Sequence, residues 1–349
     1  MPYQKVAIAA IIPAFLYYAT IFFQVDMEAG KAGLKGLPRD QLPKIFSVMG
    51  KSHFFIIPFA VLLFALFVLY MAPAKAALVG VASIVILGFF FQKETRFRFG
   101  WILDGLYGTG KAMVQLGSIA ALAGIVVGTI SYTGLGFIIS LYLGQFAGGN
   151  LFILLPIVAV ASLIMGMGMP TLSVYIVLAI LLAPAMVELG VQPIAAHLFI
   201  LYLGTASMVT PPVCIGAYAG AAIANASPMR TGFMAARFGV IAYIVPFLFI
   251  FFPALLFQGS PGGILVATVT ALFGCFALSA ALTGYLFQEL STIKRILFAL
   301  AGIGLMIPIK GQFVAFCLAC NLVSVVIMML LLTYEWKRRS RFRFNLNKY

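Results

Sequence analysis

Charge is what this sequence has least of. Asp, Glu, Lys and Arg make up 9% of its 349 residues and the mean hydropathy is +1.14, values that exclude an ordinary soluble domain. Acidic residues are scarcer than basic ones, 8 against 22, giving a formal charge of +14. The basic residues are spread over separate connections beside apolar runs rather than gathered on one face, so nucleic acid is not the expected partner. Cysteine is rare too: four residues, with Cys317 and Cys320 as a C-x-x-C inside an apolar run. That placement excludes a disulfide framework and points to packing of small side chains. No small-residue cleavage site closes the apolar stretch from Met1 to Val25, so no removable signal peptide is expected. The alternating polarity of barrel strands is missing as well, which leaves a helical bundle.

What the chain has instead is apolar length. Runs able to cross a hydrocarbon core of about 30 Å occur near residues 4–25, 54–71, 74–91, 115–133, 194–224, 239–257, 263–287, 296–309 and 312–334. They predict an all-α polytopic membrane protein with about nine crossings. Basic residues cluster in 26–53, in 92–111, at Arg230 and Arg237, at Lys294 and Arg295, and in the tail "KRRSRFRFNLNK" from Lys337. The positive-inside rule therefore puts those connections in the cytoplasm, with Met1 outside and the C-terminus inside. The stretch 26–53, with Pro38 and Pro43, reads as amphipathic pieces lying on the membrane, and 99–115 as an interfacial helix anchored by Trp101 and Tyr107.

One apolar stretch, "ASLIMGMGMPTLSVY" at 161–175, is broken midway by Gly166, Gly168 and Pro170. The arm from Leu151 to Met165 is about 22 Å of helix, too short to cross. The second arm, Leu172 to Glu188, is also short, so 150–188 reads as a re-entrant hairpin. A second interruption, "LGTASMVTPPVCIGAY", breaks the helix 194–224 at Thr210, Pro211 and Pro212. Proline suits a first helical turn, so Pro170 and Pro211 or Pro212 should each open a half-helix. Kinked but packed helices would be the bland explanation of one break; two breaks at mid-membrane depth point to a transporter site.

Between Lys111 and Arg230 the only formally charged residue is Glu188. Proton coupling needs an intramembrane acid or histidine, and His197 reads as interfacial. Neutral oxygens suit sodium, so the expected ligands are Gly166, Gly168, Met169, Thr171, Thr205, Ser207 and Thr210. An anionic substrate would be held at half-helix starts, by Pro170, Thr171, Ser173, Pro211, Pro212 and Gly216, or by Asn150 and Asn225. No organic cofactor is expected. The stretch "GLYGTGKA" at 105–112 nearly satisfies the P-loop pattern, but Ala112 replaces the metal-binding hydroxyl and no strand precedes it.

The combination of "GMGMPT", "APAMVELG" and "TPPV" resembles the second-repeat core of the large membrane subunit of TRAP (tripartite ATP-independent periplasmic) transporters. The N-terminal stretch and "AGIVVGTISYTGLG" look like the TAXI-type branch with fused membrane subunits. The resemblance covers about residues 1–260 and implies an inverted-repeat, elevator-type sodium symporter of a bacterial inner membrane. It implies a periplasmic substrate-binding protein, a small membrane subunit or N-terminal half, and a small organic acid as substrate. The 166–171 tip and the 205–212 break match the family's second sodium-binding region.

A shift of 226 pairs Pro2 with Pro228, Ala9 with Ala235, Ala10 with Ala236, Tyr17 with Tyr243 and Phe23 with Phe249, an echo of an inverted repeat. The expected layout is then 1–25 as the last helix of the first repeat, 26–113 as linker and two spans, 114–260 as the second repeat, and 261–349 as a C-terminal extension. On this reading the chain is a C-terminal portion of a longer permease and does not concentrate substrate alone. The permease of an ATP-driven importer and a non-transporting membrane scaffold are the other readings.

Overall fold

A computed structural model describes residues 2–34, 36–38, 41–42, 45–91, 99–167, 169–308 and 314–346. The protein is all-α: helices make up 82% of the chain, and no strand occurs among the described residues. Two compact units emerge, one of residues 1–8 with 36–122 and one of 9–35 with 123–349.

In the first unit, the start of α1 (Tyr3–Lys31) accompanies α2 (Ile45–Phe67), α3 (Pro73–Phe91) and most of α4 (Phe99–Thr133). Ala65, Leu66 and Ala76 form a small core where α2 turns into α3. The buried amide of Gln4 donates to the Leu66 carbonyl at 2.9 Å, satisfying an acceptor freed where α2 ends. Pro73 opens α3, where its missing N–H costs nothing. Helix α4 runs unbroken through 99–133, so the boundary expected near Gln115 between an interfacial helix and a span is absent. The P-loop-like residues 105–112 lie inside this helix, whose backbone N–H groups are engaged along its own axis and form no phosphate cradle.

In the second unit, α5 (Leu135–Phe146) follows Gly134, whose φ of 67° makes the turn out of α4. Then come α6 (Leu151–Gly166), α7 (Thr171–Leu181), α8 (Ala183–Glu188), α9 (Pro193–Ala206), α10 (Ile215–Ile223), α11 (Pro228–Phe238) and α12 (Val240–Phe251). Helices α6 and α7 both pack on α9, and α12 covers α9 from another side through Phe199 against Phe247 and Tyr202 against Phe249. Three further helices, α13 (Pro261–Thr283), α14 (Thr292–Leu305) and α15 (Val314–Leu346), close the chain. Ser260 caps α13 by accepting from the Gly263 N–H, and Gly284 ends it at φ 69°, the left-handed position that favours glycine.

Among the described residues, four helical stretches are long and apolar enough to cross a membrane: Tyr3–Lys31, Pro228–Phe251, Pro261–Thr283 and Val314–Arg338. A bent pair, Gly124–Ile130 with Leu135–Phe146, makes a fifth if it counts as one span. Apolar helices of 10–17 residues follow, Leu151–Gly166 and Thr171–Leu181 among them. Helix α14, at 14 residues, is only about 21 Å long, against the span expected at 296–309. With large apolar side chains exposed along nearly every helix, from Phe22 to Leu330, this is a polytopic membrane protein.

Candidate functional site

Both expected interruptions are present. Helix α6 stops at Gly166 and α7 starts at Thr171; between them Met167 and Pro170 take extended backbone. Helix α9 stops at Ala206, tightens into a 3-10 turn at Ser207–Val209, and α10 begins only at Ile215. Thr210 is extended, at φ −102° and ψ 122°, as a residue before proline must be. The prolines sit differently from the expectation. Pro170 is the residue before α7 rather than its first helical position. Pro211 and Pro212, joined by a cis peptide, lie in the connection, and α10 opens three residues later because Val213 and Cys214 are still outside the helix.

The two breaks meet at their glycine and serine positions. Gly166 lies so close to α9 that a Cβ added there would sit 2.7 Å from Ser207 Oγ and closer still to the Gly204 carbonyl oxygen. Thr171 Oγ1 reaches to 4.0 Å of Met208 Sδ. The structure thus brings Gly166 and Thr171 of one break against Ser207 and Met208 of the other; Gly168 falls outside the described residues. Met169 and Pro170 belong to the same tip, half-buried and exposed respectively.

Three hydroxyl protons at this site are already spent within the protein. Ser207 donates to the Gly204 carbonyl at 2.7 Å, and Thr205 to the carbonyls of Leu201 and Tyr202, both at 2.9 Å. Thr210 donates to the Ala206 carbonyl at 2.6 Å. A hydroxyl that has donated its one hydrogen offers only lone pairs outward, the character of a cation ligand. Helices α7 and α10 have no side-chain cap, so the first-turn N–H groups, including those of Ser173 and Gly216, face the breaks with partial positive charge.

Two expected residues lie elsewhere. Asn150 Oδ1 accepts from the Phe152 N–H and so caps the far end of α6, about 24 Å along that helix from the break. Asn225 follows the C-terminal end of α10 at φ 49°, where asparagine tolerates the left-handed conformation. Three polar groups were missed. Tyr243 of α12 brings its hydroxyl to 2.7 Å from Thr210 Oγ1, and its only sequence signal was its pairing with Tyr17 in the repeat echo. Tyr175 of α7 hydrogen-bonds His197 Nδ1 of α9 at 3.0 Å, giving the half-buried histidine a partner on the hairpin arm. Ser162, fully buried on α6 one turn before Gly166, has a hydroxyl without a hydrogen-bond partner.

Short helices that stop within a bundle, facing each other across polar backbone, are the arrangement expected at the binding site of a membrane permease. Residues 1–263 match the family described as Tripartite ATP-independent periplasmic transporter, DctM component, and the chain belongs to that family. It is therefore the membrane permease of a TRAP transporter, a family of transporters rather than enzymes. ATP independence sets aside the ATP-driven importer among the earlier alternatives. No curated protein and no solved structure matches the chain.

Proposed function

We propose that this permease is a sodium symporter that imports a small organic anion handed over by a periplasmic binding protein, working with a small membrane subunit in a bacterial inner membrane. The observation that carries the reading is the meeting of the two breaks, where Thr210 and Ser207 have spent their protons on carbonyls and keep only lone pairs. Sodium is held by these oxygens, by Thr171 and by the backbone carbonyls of the tip. The anion sits against the uncapped starts of α7 and α10. Helices α6 to α8 act as a re-entrant hairpin and α9–α10 as a broken span of an inverted-repeat, elevator-type fold. The basic connections and the tail from Lys337 face the cytoplasm and Met1 faces the periplasm. Only Glu188 is charged between Lys111 and Arg230, and the half-buried His197 is already engaged by Tyr175, which favours sodium over a proton as the coupling ion.

The test is uptake by the transporter reconstituted in liposomes with its binding protein and small membrane subunit. Thr171→Val and Thr210→Val keep the side-chain shape and remove an oxygen each. The sodium concentration for half-maximal uptake should rise at least several-fold in each. Unchanged sodium dependence in both would refute the site, and uptake driven by a pH gradient alone would refute the coupling ion.

A further inference from the structure

The geometry points to Tyr243 as the residue that positions the second break's ligand oxygen: its phenol aims Thr210 Oγ1 from a neighbouring helix. Thr210 stands alone between a 3-10 turn and α10, in extended backbone with a proline after it. Nothing regular in the main chain fixes its side chain there. Its hydroxyl has one hydrogen, which goes to the Ala206 carbonyl at 2.6 Å. The contact of 2.7 Å between Thr210 Oγ1 and Tyr243 Oη therefore has the phenol as donor. One bond given and one received fix the rotor and leave a single free lone pair on Thr210 Oγ1, with its direction set by two partners.

Tyr243 is itself rigidly held. It lies on α12 among the buried residues Ile241, Ala242, Val245 and Phe249, and α12 is locked on α9 by the ring contacts of Phe247 and Phe249. The helix that breaks at Ala206 is thus also the one on which α12, and with it Tyr243, is seated. The rest of the loop is held independently. Tyr218 donates to the Pro212 carbonyl at 2.6 Å, and Gly232 of α11 lets Cys214 and Pro211 approach so closely that an added Cβ would sit 2.6 Å from Cys214 Sγ. Loss of the Tyr243 hydroxyl therefore leaves the loop anchored and frees only the Thr210 rotor.

This inference rests on the sodium reading above, and the experiment separates the two. Sodium titrations of uptake by the reconstituted transporter are run for Tyr243→Phe, Thr210→Val and the double variant. A second titration follows the sodium-induced rise in melting temperature of each purified permease, which needs no transport. Tyr243→Phe should raise the half-saturating sodium concentration about fivefold, the factor typical of one hydrogen bond, while uptake at saturating sodium stays near that of the unmodified protein. The double variant should be no worse than Thr210→Val, because without the oxygen there is nothing to aim. If Thr210→Val raises the sodium requirement while Tyr243→Phe only lowers maximal uptake or melting temperature, Tyr243 is merely structural and the sodium reading survives. Additive effects in the double variant would also overturn the positioning role. If Thr210→Val leaves the sodium requirement unchanged, Thr210 is no ligand, and the role of Tyr243 falls with it.

Discussion

Among the described glycines of the two breaks, Gly166→Ala is the most severe single-methyl change. The new Cβ would fall 2.7 Å from Ser207 Oγ and 3.0 Å from Ser207 Cβ, and nearer still to the Gly204 carbonyl oxygen. Ser207 can rotate away only by giving up its bond to that carbonyl, a loss of about 1 kcal/mol. The carbonyl cannot rotate, because it belongs to the last turn of α9. Gly204 is closed in on another side, where Leu178 Cδ1 and Val174 Cγ1 stand 3.3 and 3.5 Å from its own Cβ position. Helices α6 and α9 must then part by several tenths of an ångström, an overpacking that costs about 1–3 kcal/mol. The helix-propensity gain of alanine over glycine, at most about 1 kcal/mol, is small at a helix's last residue. We expect a net loss of about 2 kcal/mol, a fall in melting temperature on the order of 5 °C, and a raised sodium requirement, since Ser207 is the group displaced. Thermal unfolding in lipid nanodiscs and sodium-titrated uptake measure the two effects. Gly220→Ala is the control: it sits in α10 with no atom within 4 Å of an added Cβ, and it should be neutral or slightly stabilising. Gly166→Ala melting with the unmodified protein, or Gly220→Ala doing equal harm, would refute the close-approach argument.

Ser162→Ala removes a buried hydroxyl that has no partner, so it should stabilise the permease by about 1 kcal/mol; a destabilised variant would mean that the hydroxyl is satisfied by a water or an ion. Glu335→Ala should cost about 3 kcal/mol, because the fully buried carboxylate accepts from Lys294 at 2.5 Å and from Gln288 at 2.9 Å; Lys294→Ala/Glu335→Ala recovering much of that loss in the melting curve would support the pair, and no recovery would count against it.

The two helix breaks were legible because their cause is local. Gly166, Pro170, Pro211 and Pro212 change what the backbone can do at their own positions, and the helices stop there. Membrane class was legible for the same reason, since composition needs no partner to be read. What the sequence could not reveal depends on distant neighbours. The stretch 99–115 read as an interfacial helix apart from the span 115–133, yet α4 runs through both. Asn150 looked like a polar group available to a substrate until its cap on Phe152 was in view. The run 296–309 looked like a crossing, but Met306 and Ile307 are already outside α14. Tyr243 was visible only as one of five matches in a repeat comparison; its hydroxyl mattered once α12 was seen to bring it over Thr210.

The family match ends at residue 263, yet the helices beyond it belong to the same compact unit as residues 9–35. The reason lies in α1. Met27 is buried in one core with Ala277, Ala280, Leu290, Phe298 and Met328, and Phe23 meets Phe276 edge to face at 5.3 Å. Lys31 donates to the Thr283 carbonyl at 3.3 Å, and Arg295 donates to the Ala281 carbonyl at 2.9 Å, so two cations share the open carbonyls at the end of α13. The same stretch of α1 also holds the other side of the unit: Gln24 donates to the Phe238 carbonyl at 3.2 Å and Glu28 pairs with Arg237 at 2.7 Å. One face of α1 therefore grips the α11–α12 corner, from which Tyr243 reaches the second break, and another grips α13. A helix tied on both sides joins them, so α13 and the α11–α12 corner that carries Tyr243 are packed onto the same stretch of α1. Lengthening the connection before α13 should change this little, whereas replacing Met27 or Phe23 by alanine should loosen both faces together.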